Sequence, residues 1–236
     1  MKKELGVVML LGAVLLTGCG SESATVTQET GESTSKQVTT QPEQNTDEKV
    51  KLYATTDGIK LDINGNEKDF DWKFPGDTGT NPQVTYTDLT GDGKEEAVII
   101  IQTGKGTGLN NYDIHVVNAE DFSEIKVQNY EDIVADQIDS HVVKNGDGTL
   151  GITVKTQGKE YKFNYDFDPA PDYKQEDLAF GGVFIYTLEN QKIKLNLSGS
   201  VGISTTYVCD FNITYKFDSA KNEFVADQIE VIPIEK

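Results

Sequence analysis

Asp88, Thr90, Asp92 and Glu96 carry oxygen-bearing side chains at positions 1, 3, 5 and 9 of one short segment, Asp88-Leu-Thr-Gly-Asp-Gly-Lys-Glu-Glu-Ala97. The backbone carbonyl of Lys94 falls at position 7. Alternating oxygens on a tight loop suit a hard cation, since calcium takes roughly six to eight oxygen ligands at about 2.3–2.6 Å. Gly93 permits the sharp turn after Asp92, because a residue without Cβ enters left-handed conformations at no steric cost. Asp88, Thr90, Asp92, Lys94 and Glu96 are therefore the candidate metal residues, with structural calcium as the expected cofactor. The same residues also fit a solvated acidic turn that holds no metal. An EF-hand is excluded: position 12 is Ile99, not Glu, and a strand pattern follows where that motif needs a helix.

Other residue types that do chemistry are sparse, and no catalytic residue is assigned. His115 and His141 are the only histidines, and neither sits in a zinc-like cluster. A structural role is expected for both. Cys209 lies in an alternating run with Tyr207, Phe211, Ile213, Tyr215 and Phe217 on one strand face, which places it in a core. Gly104-Lys-Gly-Thr-Gly108 has neither the P-loop nor the dinucleotide spacing, and it reads as a mobile hairpin loop. Neither a Gly-x-Ser-x-Gly elbow nor a His-Glu-x-x-His helix is present. Scattered carboxylates leave one enzymatic alternative open, an envelope hydrolase acting on a cell-wall or extracellular polymer.

The elements that must position these residues read as β almost throughout. Asp57-Gly58 and Asn64-Gly65 separate Lys51–Thr56, Ile59–Ile63 and Lys68–Phe74, and such dipeptides between alternating runs are hairpin signals. Ala97–Ile101 is continuously apolar, the pattern of a strand buried on both faces. Further strands are expected at Tyr112–Val117, His141–Lys144, Leu150–Thr156, Glu160–Asp166, Val183–Leu188, Lys192–Leu197, Thr205–Phe217 and Glu223–Ile232. Tyr130, Ile133, Val134 and Ile138 have helical spacing, so a short helix is expected near Asn129–Ile138. The aromatic residues Trp72, Tyr53, Tyr86, Tyr112 and Tyr207 are expected to lie mostly in the core. The fold class is all-β: one antiparallel domain over residues 49–236, a sandwich or a small propeller-like meander.

The acidic loop leading into a strand resembles the FG-GAP/VCBS repeat, whose calcium loop runs Asp-x-Asn/Asp-x-Asp-Gly-x-x-Asp. Here Thr90 stands for the usual Asn or Asp, and Glu96 for the last Asp. The likeness covers one copy, about Val84–Val117, and implies a structural calcium site. The whole head also resembles small lipoproteins of Gram-positive bacteria that carry this one loop, a likeness that implies no particular activity.

The N-terminus sets the compartment. Lys2 and Lys3 precede an uncharged, mostly apolar stretch, Leu5–Leu16, too short for a spanning helix of roughly 20 residues. That is the order of a signal peptide. Leu16-Thr17-Gly18-Cys19 resembles the lipobox of bacterial lipoproteins, which implies cleavage after residue 18 and lipid, including palmitate, on Cys19. Residues 19–48 are rich in Ser, Thr, Gln and Glu and read as a disordered linker. A membrane anchor at the extracytoplasmic face follows. With Cys19 lipidated, Cys209 has no partner inside the chain, and no disulfide-linked partner is expected. The formal charge of −18 argues against nucleic acid. The function class that fits is a non-catalytic binding or interaction module, facing a cell-surface protein or polysaccharide. A transporter's solute-binding lipoprotein fits poorly, because this head is too β-rich for two α/β lobes.

Overall fold

Alternating side chains and tight turns do produce an all-β protein. A computed structural model describes residues 36–37, 41–42, 49–75, 78–167, 169–170 and 172–235. The strands are β1 (Lys36–Gln37), β2 (Gln41–Pro42), β3 (Val50–Ala54), β4 (Ile59–Ile63), β5 (Asn66–Phe70), β6 (Gln83–Thr87), β7 (Glu96–Gly106) and β8 (Leu109–Asn118). Next come β9 (Glu124–Val127), helix α1 (Tyr130–Gln137), β10 (Ile138–Lys144), β11 (Thr149–Thr156) and β12 (Lys159–Asp166). The chain ends with β13 (Val183–Glu189), β14 (Lys192–Val201), β15 (Thr206–Asp218) and β16 (Glu223–Pro233).

The strands form three sheets, in the orders β1-β3-β4-β5, β10-β11-β12 and β13-β14-β15-β16-β9-β8-β7-β6-β2. Most pairings are antiparallel, but β8–β13, β9–β16 and β2–β6 are short parallel ones. Because β8 also pairs with β13, strands β8, β9, β16, β15, β14 and β13 close into a ring. The two parallel contacts that close it, β8–β13 and β9–β16, are two residues long each. All described residues belong to one compact unit, Thr34–Lys236.

β7 shows why its sequence is continuously apolar. Its odd face, Ala97, Ile99 and Ile101, packs in one core with Leu52, Ile59, Leu61 and Ile63 of the first sheet. Its even face, Val98 and Ile100, belongs to a second core with Leu150, Ile152 and Val154 of the β10–β12 sheet. Residues 96–102 are all buried as a result. Cys209 lies in that second core, fully buried.

α1 starts at a capped end: the Asn129 side chain accepts from the Asp132 N–H at 2.7 Å, satisfying one donor of the first turn. Ile133 is its buried residue. Among the described residues no helix is long and apolar enough to cross a membrane.

Several boundaries differ from the sequence pattern. β5 ends at Phe70, not Phe74, because its last partner is Ile59, where β4 begins. Gly58 lets the chains stay close there: a Cβ on it would lie 2.1 Å from the Phe70 carbonyl oxygen. Gly104 and Gly106 are strand residues of β7, and only Thr107–Gly108 form the turn. β1 and β2 fall inside the segment read as linker and pair with β3 and β6. Of the five aromatic residues expected in the core, Trp72 is buried, whereas Tyr53, Tyr86, Tyr112 and Tyr207 are half-buried.

Candidate functional site

The acidic segment is the connection between β6 and β7, which pair through Thr87 and Glu96. Gly91 and Gly93 both adopt left-handed backbone, at φ 79° and 87°. Asp88 accepts from the Gly91 N–H at 2.8 Å and, with its other oxygen, from the Gly93 N–H at 3.0 Å. Asp92 accepts from the Lys94 N–H at 2.9 Å. Short acidic side chains fold back onto nearby amides in this way and so fix turns. Lys94 sends its side chain away from the loop, donating to Glu120 at 2.6 Å.

Glu96 differs from the other two acids because it is wholly buried. One carboxylate oxygen accepts from the Leu89 N–H at 2.7 Å and the Thr90 N–H at 3.2 Å. The other meets the Thr90 hydroxyl at 3.4 Å. Burial raises its pKa; the two backbone hydrogen bonds oppose that, and the negative charges of Asp92 and Asp88 add to it. The loop thus brings Asp88, Thr90, Asp92 and Glu96 into one hydrogen-bonded turn. Among the described residues, however, no group of three or more His, Cys, Asp or Glu side chains gathers as a metal-holding cluster. Each carboxylate oxygen has more than one lone pair, so an oxygen that accepts an amide hydrogen can still meet a cation. The donor set is hard and oxygen-only, which matches calcium. Cys19 lies outside the described residues.

A second constellation was not legible in the sequence. The His115 ring stacks on Trp72 with centroids 4.0 Å apart, and Trp72 stacks on Phe70 at 4.2 Å. Glu124 receives both polar edges: His115 Nδ1 lies 2.7 Å from one oxygen, and Trp72 Nε1 donates to the other at 3.3 Å. A carboxylate only accepts, so Nδ1 carries the proton. Burial pushes the Glu124 pKa up, but the His115 hydrogen bond and charge, with the Trp72 N–H, outweigh it and leave the pKa lowered. His115 Nε2 is buried and makes no hydrogen bond among the described residues. Residues 72 and 124 are too far apart in sequence for spacing to reveal the pair. His141 is exposed on β10.

A groove of about 780 Å³ lies on β13–β16, with Gln157, Lys159 and Tyr161 at one end. Leu195, Ile213 and Ile229 are buried in the core, so their strand neighbours point the other way. Strand register aligns those neighbours in two rows, Ile185–Asn196–Asn212–Glu230 and Thr187–Lys194–Thr214–Gln228. Asn196 donates to Asn212 across the strands at 3.0 Å. Lys194 pairs with Glu189.

No family model, curated protein or solved structure matches this chain.

Proposed function

We propose that this chain is a bacterial lipoprotein of the small Gram-positive type. Residues 1–18 leave as signal peptide, Cys19 takes the lipid, and the β head works at the extracytoplasmic face of the cell membrane. The head is a non-catalytic binding or interaction module for a cell-surface protein or polysaccharide. In this reading calcium fixes the β6–β7 loop, held by Asp88, Thr90, Asp92, the Lys94 carbonyl and Glu96. Calcium would supply structure there, not catalysis.

The observation that carries the calcium part is Glu96. It is a wholly buried carboxylate, and the side-chain charges that raise its pKa, Asp92 and Asp88, are both negative. A divalent cation beside Glu96 would offset such repulsion and desolvation. Two observations support binding over hydrolysis. The Cys209 thiol is buried and its pKa pushed up to about 12, chiefly by that burial, so it is no nucleophile. His115, half-buried, is held between Trp72 and Glu124.

Calcium titration calorimetry on the full chain in detergent, beside Asp92→Ala, tests the loop. The parent should bind about one calcium at micromolar to millimolar strength, and the variant should bind much more weakly. Equal heats from the two proteins, or none from either, would remove calcium from the reading. Labelled palmitate should enter the parent but not Cys19→Ala; label in both would remove the anchor.

A further inference from the structure

We propose that the groove on β13–β16 binds a segment of uncharged polysaccharide. The proposal deepens the binding-module reading and rests on it.

Charge is the first argument. The chain carries a formal charge of −18, yet the groove is lined by two lysines, Lys159 and Lys194, and two glutamates, Glu189 and Glu230. Local neutrality on so acidic a surface selects neither a polyanion nor a polycation. A polyanion would also meet the repulsive field of the whole molecule.

Hydrogen-bond chemistry is the second argument. The two cross-strand rows present amides and hydroxyls, which both donate and accept. Among the described residues, the side chains of Thr187, Thr214, Gln228 and Glu230 make no hydrogen bond, so their polar atoms face the groove unspent. Sugar hydroxyls likewise donate and accept, and a row of mixed groups satisfies them without burying an unpaired charge. Four neighbouring strands span roughly 15 Å, room for several linked sugar rings. Tyr161 and Ile185 add apolar surface for the C–H faces of those rings.

Geometry argues against the other extended polymer, a peptide. A peptide strand binds by adding to a sheet edge. Beside the groove, two backbone groups of β16 are already taken: the Gln157 amide donates to the Asp227 carbonyl at 3.0 Å and accepts from the Ile229 N–H at 3.1 Å. What the groove offers is the face of the sheet, where side chains do the recognising.

The test is calorimetric titration of the full chain in detergent with soluble neutral oligosaccharides of glucose, mannose and N-acetylglucosamine. Heparin and an extended polar peptide serve as the competing classes. At least one neutral oligosaccharide should bind, and Asn212→Leu should weaken it by about tenfold or more, the factor of one or two polar contacts. Asn212 is exposed, so the variant should fold; Thr214→Val is the second probe at an adjacent strand position. The proposal is overturned if no neutral oligosaccharide binds, if heparin or peptide binds in preference, or if both variants bind like the parent. Palmitate labelling and calcium uptake on the same preparations test the parent reading separately. A groove without saccharide on a lipidated, calcium-binding chain sinks only the groove.

Discussion

Glu96 is buried and Glu124 is partly exposed, and their acidities move in opposite directions. Burial pushes both up. Glu96 has only neutral donors to answer it, the Leu89 and Thr90 amides, while Asp92 and Asp88 push further. Glu124 faces His115 and the Trp72 N–H, and that pair reverses the sign. Partial desolvation acts on both acids; the partner decides the outcome. The difference separates two tasks. Glu124 ties His115 of β8 and Trp72 beyond β5 to β9. Glu96 has two further acids beside it and only neutral donors to oppose them.

The comparison breaks most visibly at Trp72. It is 5% exposed and lies between Phe70 and His115. Trp72→Ala should cost about 3–5 kcal/mol, read by urea unfolding. A loss below about 1 kcal/mol would mean that Glu124 and His115 stand without the stack. Glu96→Ala comes next. It strands the Leu89 and Thr90 amides, so about 2 kcal/mol should be lost, while Glu96→Gln, which keeps an acceptor, should lose less. Equal losses from Ala and Gln would show that shape, not hydrogen bonding, holds the loop.

The smallest effect is the most diagnostic. The folded pKa of Glu124 lies below its ordinary value of 4.5. The stability it contributes is therefore full above that value and is lost as pH falls through the folded pKa. Glu124→Gln should flatten the acid side of the stability curve by a few tenths of a kcal/mol, since the group is partly exposed and screened. Glu96 has the opposite sign: its pKa is raised, so its charged form weighs on the fold as pH rises above 4.5. Thermal unfolding from pH 3 to pH 7 on both Gln variants reads the two slopes. Parallel slopes would erase the distinction between the sites.

Much of this was written locally. Period-two alternation placed β4, β11, β12, β13, β15 and β16 within a residue or so, while β7, β8, β10 and β14 run three to five residues further than the pattern showed; the spacing of Tyr130, Ile133 and Val134 gave the helix. The unbroken Ala97–Ile101 run announced two-sided burial, which the two cores on β7 explain. The alternating run around Cys209 located the thiol. The acidic loop was legible because all its donors lie within nine residues and fold onto their own amides. Aromatic residues misled, since a half-covered face and a buried one share the same alternation; only Trp72 is sealed.

The tertiary structure alone decided the rest. The β8–β13 contact that closes the ring joins residues 110 and 183, and the β9–β16 pair joins 126 and 223. Glu124 meets Trp72 across 52 positions, and the groove's polar rows draw on four strands at once. Alternation tells each strand which face is wet, but it carries no label for the neighbour that will cover the other. Pairing between distant strands is settled by which closures bury the most apolar surface against the entropy of long loops. A carboxylate's environment is then inherited from that choice.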